Sequence, residues 1–262
     1  MNSRIVMLIE YDGSPFHGWQ FQPNLPTVQG AIQAAIYEYC GQVVELQCAG
    51  RTDTGVHAVG QVAHADLAGA HDANRVMGAV NFHLRRSEFA HKVAVIAAQN
   101  IWFASQNAPP NFHARFSSKS RRYQYRMIVR RSPLVLEQGL IWRITHPLDV
   151  DAMRAAAQML IGEHNFNSFR SGECQAKSAV KTLDMLEIMQ DGNRIIFNIK
   201  AKSFLHNQVR IMVGTLVEIG RGRYEPQIIT EMLAGNHRRC AGMTAPADGL
   251  FFMEVEYDDL KW

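Results

Sequence analysis

The sequence predicts an α+β fold with mostly antiparallel sheets. Short runs of apolar–polar alternation recur along the chain, and amphipathic helical stretches fall in each half. The clearest strand junction is a tight turn at Asp191-Gly192, and no regular β–α–β repeat is visible. The order of elements is similar in the two halves, which hints at two related halves packed together.

The first strand is expected at Ser3 to Tyr11, ending in the turn Asp12-Gly13-Ser14-Pro15. A helix follows at Thr27 to Cys40, because Val28, Ile32, Ala35, Ile36 and Tyr39 share one helical face. Thr27 is its expected N-cap and Gly41 its terminator. Two alternating runs, Val43 to Ala49 and Gln61 to Asp66, predict strands on either side of a charged loop. A second helix is expected near Asp72 to Leu84, and a strand at His91 to Ala98.

Asn107-Ala108-Pro109-Pro110 is the best internal boundary, since consecutive prolines interrupt both ladder and helix. It divides the chain into an N-terminal half, 1–108, carrying the charged loop, and a C-terminal half, 109–262. The second half should open with a basic strand at Ser118 to Arg130, followed by a helix from Asp151 to Ile161 stopped at Gly162. Lys181 to Gln190 and Asn193 to Ala201 read as a hairpin. Helices at about His206 to Ile219 and at Pro226 to Leu233, then a strand at Leu250 to Tyr257, complete the expected elements.

At 262 residues, with 47% hydrophobic and 19% charged residues, the chain has the composition of a soluble globular protein. No apolar run approaches the ~18–20 residues that span a bilayer. The apolar stretch Ile5 to Ile9 stops at Glu10, too short for a secretory signal, so a cytoplasmic protein is expected. The four cysteines, Cys40, Cys48, Cys174 and Cys240, are scattered without a CxxC pair and read as free thiols.

The densest chemistry lies in Gly50-Arg51-Thr52-Asp53-Thr54-Gly55-Val56-His57-Ala58. A charged loop between two strands, with Gly50 and Gly55 for unusual backbone angles, is a good way to present one carboxylate at a cleft. Asp53 is the candidate reactive group. Arg51, two residues away, either holds that carboxylate ionised or contacts phosphate. A polar β-connection with a simple Asp–Arg pair is the plainer alternative.

The net charge of +3 is modest, but its distribution is informative. Between Pro109 and Pro133 lie Arg115, Lys119, Arg121, Arg122, Arg126, Arg130 and Arg131, with no acidic residue and with Phe112, Phe116, Tyr123 and Tyr125 interleaved. Guanidinium groups attract phosphates and aromatic faces stack on unpaired bases, so a single-stranded or looped RNA suits the segment better than duplex DNA. A solvated strand face with an aromatic core stripe would look the same in sequence.

Cys48, His57 and His64 lie close together, but their spacing matches no zinc pattern, so no metal is expected. Neither a GxSxG elbow nor a GxGxxG or Walker loop is present, which argues against a serine hydrolase and a nucleotide cofactor. The run Ser203 to Gly214 enters a helix, and Arg210 falls near its N-terminal part, where a cation gains nothing from the helix dipole.

These residues together resemble the tRNA pseudouridine synthase A family. The matching blocks are Glu10-Tyr11-Asp12-Gly13, Gly18-Trp19-Gln20, Thr27-Val28-Gln29, the Gly50 to Ala58 loop and Gly60-Gln61-Val62. Phe112 to Ser117, Arg121 to Tyr125, Phe204 to Arg210 and Ala245 to Leu250 follow in the family's order. The resemblance implies a cofactor-free and metal-free isomerase that converts uridine to pseudouridine on the 3′ side of the anticodon stem-loop of tRNA, at positions 38, 39 and 40. It implies two related halves joined in one continuous sheet, helices on one side and a cleft between the halves, and a homodimer in which one tRNA touches both subunits.

Residue by residue, Asp53 matches the catalytic aspartate and Tyr123 the tyrosine that packs on the target base. Arg51 matches an arginine that helps to extrude or replace the flipped base, and Arg210 a basic residue expected to pair with the aspartate. Whether the carboxylate attacks C1′, attacks the base or abstracts a ribose proton stays open. Thr54 departs from the alanine that many members carry there. Two other classes compete: a non-catalytic tRNA-binding or folding protein that keeps the surface, and a metal-dependent nucleic-acid hydrolase using His57 and His64.

Overall fold

A computed structural model describes residues 2–103, 112–172, 174, 176–234, 242–258 and 260–262. Ten strands and five α-helices are present among them, in the mixed order of an α+β protein. The chain forms two compact units, one of Met1–Lys119 with Phe252–Trp262 and one of Ser120–Phe251. The expected boundary at Asn107 to Pro110 lies outside the described residues. Among the described residues no helix is long and apolar enough to cross a membrane.

The first unit is built around β1 (Asn2–Tyr11), which has neighbours on both edges. It pairs antiparallel with β3 (His57–Leu67) and with β4 (Val93–Phe103). A strand so enclosed buries both faces, which explains why Ile5, Val6 and Met7 are contiguous, apolar and fully buried. Helix α1 (Val28–Cys40) starts where Thr27 accepts the Gly30 N–H and ends at left-handed Gly41, as the sequence predicts. Helix α2 (Ala73–Arg86) is capped by Asp72, packs against α1 and β4, and buries Val76, Val80 and Leu84.

One expected strand is much shorter than the alternation suggested. Only Gln47–Cys48 forms a ladder, β2, against β3. Val44 and Leu46 are buried and Val43 and Glu45 exposed, so the alternation is real. Their carbonyls, however, accept side-chain amides from α1: Gln33 donates to Val44 and Gln29 to Leu46, at 2.7 and 3.1 Å. Alternation reports which side is buried, and here the backbone found helix glutamines instead of a strand.

The second unit centres on β5 (Ser120–Val129), antiparallel to β9 (Arg194–Ala201), which forms the expected hairpin with β8 (Val180–Asp191). The turn uses Gly192 at φ 57°. Two short strands had no clear sequence signal: β6 (Trp142–Ile144), parallel to β5, and β7 (Gly162–Asn165), a polar edge beside β8. Helix α3 (Val150–Gln158) packs on β8 and on α4 (Gln208–Gly220), whose residues are almost all buried. The helix expected from His206 begins two residues later, because Asn207 is left-handed at φ 62°. A short helix α5 (Ile228–Leu233) follows, and β10 (Leu250–Glu256) ends the regular structure.

His64 on β3 is buried and its Nδ1 accepts the Ala114 N–H at 3.2 Å. Burial, then the charges of Arg4 and His113, push its pKa down to about 3. The unfolded chain takes up a proton below about 6.5 that the folded protein refuses, so this contribution is complete above that pH and is lost as pH falls toward 3. Urea unfolding at pH 7 and pH 5 should show a loss of about 2 kcal/mol from this group. His64→Asn keeps an acceptor for Ala114 and should be less acid-sensitive by about that amount; equal losses in both proteins would place the sensitivity elsewhere.

Candidate active site

The loop that carries Arg51 and Asp53 joins β2 to β3, and a second loop, following β1, lies against it backbone to backbone. Trp19 N–H donates to the Thr52 carbonyl at 3.0 Å, and Gly55 N–H to the Phe16 carbonyl at 3.3 Å. Gly13 N–H donates to Nδ1 of His57 at 3.0 Å. The Tyr11 and Thr52 hydroxyls are hydrogen-bonded at 2.8 Å, and burial drives the Tyr11 pKa up, so its proton is retained. From the far side Gln61 donates to the Gly50 carbonyl at 2.7 Å.

Such an approach needs glycine. A Cβ on Gly13 would collide with the Val56 carbonyl, and one on Gly18, at φ 84°, would stand 2.7 Å from the Thr52 carbonyl oxygen. Around these contacts Phe16 and Trp19 are buried, Trp19 tilted against Tyr11 with ring centroids 6.0 Å apart. The result is a short turn from Asp53 to Val56, closed by Val56 N–H on the Asp53 carbonyl at 3.1 Å, with Gly55 at φ 78°. Gly50, expected to share that role, is not left-handed. Asp53 is half-buried and Arg51 and Thr54 are exposed, on a loop whose backbone is fixed.

His57 therefore serves the scaffold. It is buried, and the Gly13 N–H occupies its Nδ1 lone pair, which places the proton on Nε2. Asp12, whose Oδ1 lies 3.3 Å from Nδ1 of His57, is held by Lys92 at 2.6 Å. Burial raises the Asp12 carboxyl, but the hydrogen bonds from Lys92 and Ser14 outweigh it and hold its pKa at about 2. His57 and His64 stand seven residues apart on one strand, roughly 23 Å at 3.3 Å per residue, and each accepts a different backbone N–H. They do not converge on one ion.

Tyr123 and Arg210 belong to the second unit. Tyr123 lies on β5 opposite Ile199 of β9, and its ring meets Phe204 edge-on at 5.1 Å and 89°. Arg210 occupies the first turn of α4, and its Nε donates to the Ala245 carbonyl at 2.8 Å while Nη1 donates to Oδ1 of Asn207 at 3.0 Å. Ala245 N–H returns a bond to the Arg210 carbonyl at 3.1 Å. The strap 242–246 is pressed onto α4 at Gly214, whose absent side chain makes room for the Met243 carbonyl. The strap ends where Tyr125 donates to the Pro246 carbonyl at 2.7 Å. Sequence placed Arg210 against the helix dipole without a local reason, and Ala245 and Asn207 provide one.

The basic segment is not a single exposed stripe. On β5 side chains alternate: Arg121, Tyr123 and Tyr125 are buried, whereas Arg122, Gln124 and Arg126 are half-buried. Arg121 donates to the Lys202 carbonyl, and Arg126 lies over Phe251, 3.7 Å from the ring centroid. Arg130 donates to the carbonyls of Ser132 and Pro133. Tyr125 is core, so of the tyrosines on this strand Tyr123 is the one beside the Phe204 loop. The supporting residues that sequence reading left without roles are Tyr11, Gly13, Gly18, Trp19, Thr52, Phe204 and Ala245. All are small or aromatic residues whose work depends on partners distant in sequence.

Comparison with known proteins agrees with this architecture. A family model for tRNA pseudouridine synthase matches residues 7–102 and 156–258. A tRNA pseudouridine synthase A of Rhodopseudomonas palustris (strain ATCC BAA-98 / CGA009) is 48% identical over 254 residues, covering 97% of this chain and 98% of its own. One from Bradyrhizobium sp. (strain BTAi1 / ATCC BAA-1182) is 46% identical over 97% of this chain and 99% of its own. One from Caulobacter vibrioides (strain NA1000 / CB15N) is 47% identical over 98% and 99% respectively.

The close approach at Gly18 can be separated from its backbone angle. Gly41 is also left-handed but has open space around it. Gly41→Ala should cost about 1 kcal/mol, the strain of a left-handed alanine. Gly18→Ala adds the clash with Thr52 and should cost about 2–3 kcal/mol, with faster amide exchange at Trp19. Equal urea midpoints for the two variants would mean that the contact with the Asp53 loop is not stabilising.

Proposed function

The chain belongs to the tRNA pseudouridine synthase family, and on that premise we propose that it isomerises uridine to pseudouridine in the anticodon stem-loop of tRNA, at positions 38, 39 and 40. Asp53 is the reactive carboxylate; Tyr123, Arg51 and Arg210 are the substrate-binding residues. The observation that carries this assignment is the pinned loop. Hydrogen bonds on both sides hold the Thr52–Val56 turn, and Asp53, which that turn carries, is half-buried.

The reaction is an internal exchange of bonds. The C1′–N1 glycosidic bond breaks, the detached uracil turns, C5 bonds to C1′, and the proton lost from C5 is matched by one gained at N1. No electrons enter or leave and no group is transferred to another molecule, so the balance needs neither redox cofactor nor energy source. A paired or stacked uridine has to leave its helix first, at a cost of a few kcal/mol. A preorganised carboxylate is worth most in such a case, because no part of the binding energy is spent on ordering the loop.

Tyr123 suits the task of holding the uracil while it turns. A flat ring restrains a base perpendicular to its plane yet permits rotation within it. Phe204, edge-on to Tyr123, fixes the tilt of that ring. In this reading Arg51, exposed two residues before Asp53, meets the phosphate backbone or fills the space left by the flipped base. The working enzyme in this proposal is a cytoplasmic homodimer, and one tRNA touches both subunits.

Incubation of unmodified tRNA with the protein should yield pseudouridine in the anticodon arm, and Asp53→Asn should abolish it while tRNA affinity changes less than about twofold. Isomerisation at the normal rate by the variant would remove Asp53 from the mechanism. A variant and a wild type that both bind tRNA without modifying it would leave a binding protein instead. Tyr123→Phe should keep far more activity than Tyr123→Ala, since stacking and not the hydroxyl is the proposed function; equal losses would point to the hydroxyl.

A further inference from the structure

We propose that Phe116, with Arg115 beside it, is an aromatic platform on which an unpaired tRNA base stacks, well away from the base that reacts. This rests on the tRNA-binding reading above and adds a contact to it. Phe116 is 77% exposed. A single exposed apolar side chain needs no explanation. What sets this one apart is the support beneath it.

The Phe116 ring lies 4.4 Å from that of His113 at an interplanar angle of 37°, and His113 stands edge-on to the buried ring of His64 at 4.8 Å. The guanidinium of Arg115 is 5.7 Å from the Phe116 centroid. The turn that carries these residues is wired throughout. His113 N–H donates to Oγ of Ser117 and Ser117 N–H to the His113 carbonyl, both at 2.9 Å. Arg115 N–H donates to Nδ1 of His113 at 3.0 Å, and the Tyr257 hydroxyl to the Ala114 carbonyl at 2.5 Å. Arg4, bidentate to Asp66 at 2.6 and 2.7 Å, also donates to the Phe112 carbonyl.

An exposed side chain on an ordinary loop loses conformational freedom when a ligand binds. Phe116 has less of it to lose, since its ring rests tilted against His113 and the backbone of its turn is tied. Burial, then the charges of Arg4 and Arg115, push the His113 pKa down, so its ring stacks as a neutral aromatic. A ring face next to a guanidinium is the surface that single-stranded RNA binders present to a base and its phosphate. An apolar protein partner would have no use for the arginine.

The site lies beside His64, seven residues along β3 from His57, which backs the Asp53 loop; those two positions on the strand are roughly 23 Å apart. A base that stacks there belongs to a different part of the tRNA from the target uridine. The platform therefore contributes to which RNAs are held, and not to the bond exchange.

The test compares Phe116→Ala, Phe116→Leu and Phe116→Trp for tRNA affinity at fixed salt, with unfolding midpoints measured alongside. Phe116→Ala should weaken tRNA binding roughly tenfold, equivalent to about 1.4 kcal/mol and within the range for base–aromatic stacking. Phe116→Leu, equally apolar but without a ring, should lose about as much, and Phe116→Trp should bind like the wild type. At saturating tRNA the isomerisation rate should stay normal in all three. Unchanged affinity in Phe116→Ala and Phe116→Leu, with a wild type that does modify tRNA, would overturn the platform and leave the proposed function standing. A leucine variant as good as wild type, or an alanine variant that alters the oligomeric state at equal concentration, would make the surface a protein contact and overturn it too. A wild type that neither binds nor modifies tRNA would overturn the function on which it rests.

Discussion

Two backbone segments of the first unit touch with no side chain between them, and the candidate site depends on that contact. The loop after β1 approaches the Asp53 loop so closely that Gly13 and Gly18 have no room for a methyl group. What the missing side chains permit is a set of main-chain hydrogen bonds, Trp19 to Thr52 and Gly55 to Phe16, with His57 reaching back to Gly13. These bonds join amides and carbonyls, or an imidazole whose lone pair is used, and they hold the loop's backbone. Exposed ion pairs weaken as salt rises and contribute little. A loop held by them would shift whenever a polyanion displaced one partner. Main-chain bonds between amides and carbonyls offer a polyanion no charge to displace.

The second unit solves a similar problem with similar means. A strap, 242–246, crosses α4 where Gly214 and Gly242 leave space, and its Ala245 backbone bonds Arg210 in both directions. A cation in the first turn of a helix faces the positive end of the helix dipole, an unfavourable position by about 0.3–1 kcal/mol at an exposed site. The Ala245 carbonyl and the Asn207 side chain supply negative partial charge next to the guanidinium and offset it. Asn207 is left-handed and turns the chain into the helix one residue before Gln208, whose side chain accepts the Leu205 N–H. Position and support of Arg210 thus come from residues before and far after it in sequence.

That distribution explains what was legible in the sequence. Elements whose cause is local were read correctly: α1 from one apolar face between Thr27 and Gly41, α2 from Asp72 onward, and the β8–β9 hairpin from Asp191-Gly192. The Asp53 loop was legible too, because its residue types are concentrated in one short run. What failed has non-local causes. Val43 to Leu46 alternate in burial like a strand, yet glutamines from α1 take the hydrogen bonds a neighbouring strand would have offered. Trp142–Ile144 and Gly162–Asn165 become strands by pairing with β5 and β8, with little in their own composition to announce it.

The basic segment shows the same limit at the level of charge. Counting arginines between Pro109 and Pro133 cannot say which side of β5 each occupies, and a strand sends successive side chains to opposite faces. Arg121 shares its face with Tyr123 and Tyr125 and is buried, bonding a backbone carbonyl. Arg126, on the other face, covers Phe251 with its planar head, where a guanidinium is more easily desolvated than an ammonium. An arginine used in this way holds the strand in shape. The same pairing of guanidinium and ring occurs at Arg115 and Phe116, but there the ring is exposed instead of covered. Burial therefore separates two arrangements that sequence alone makes identical: the Phe251 ring is enclosed beneath Arg126, and the Phe116 ring stands open beside Arg115.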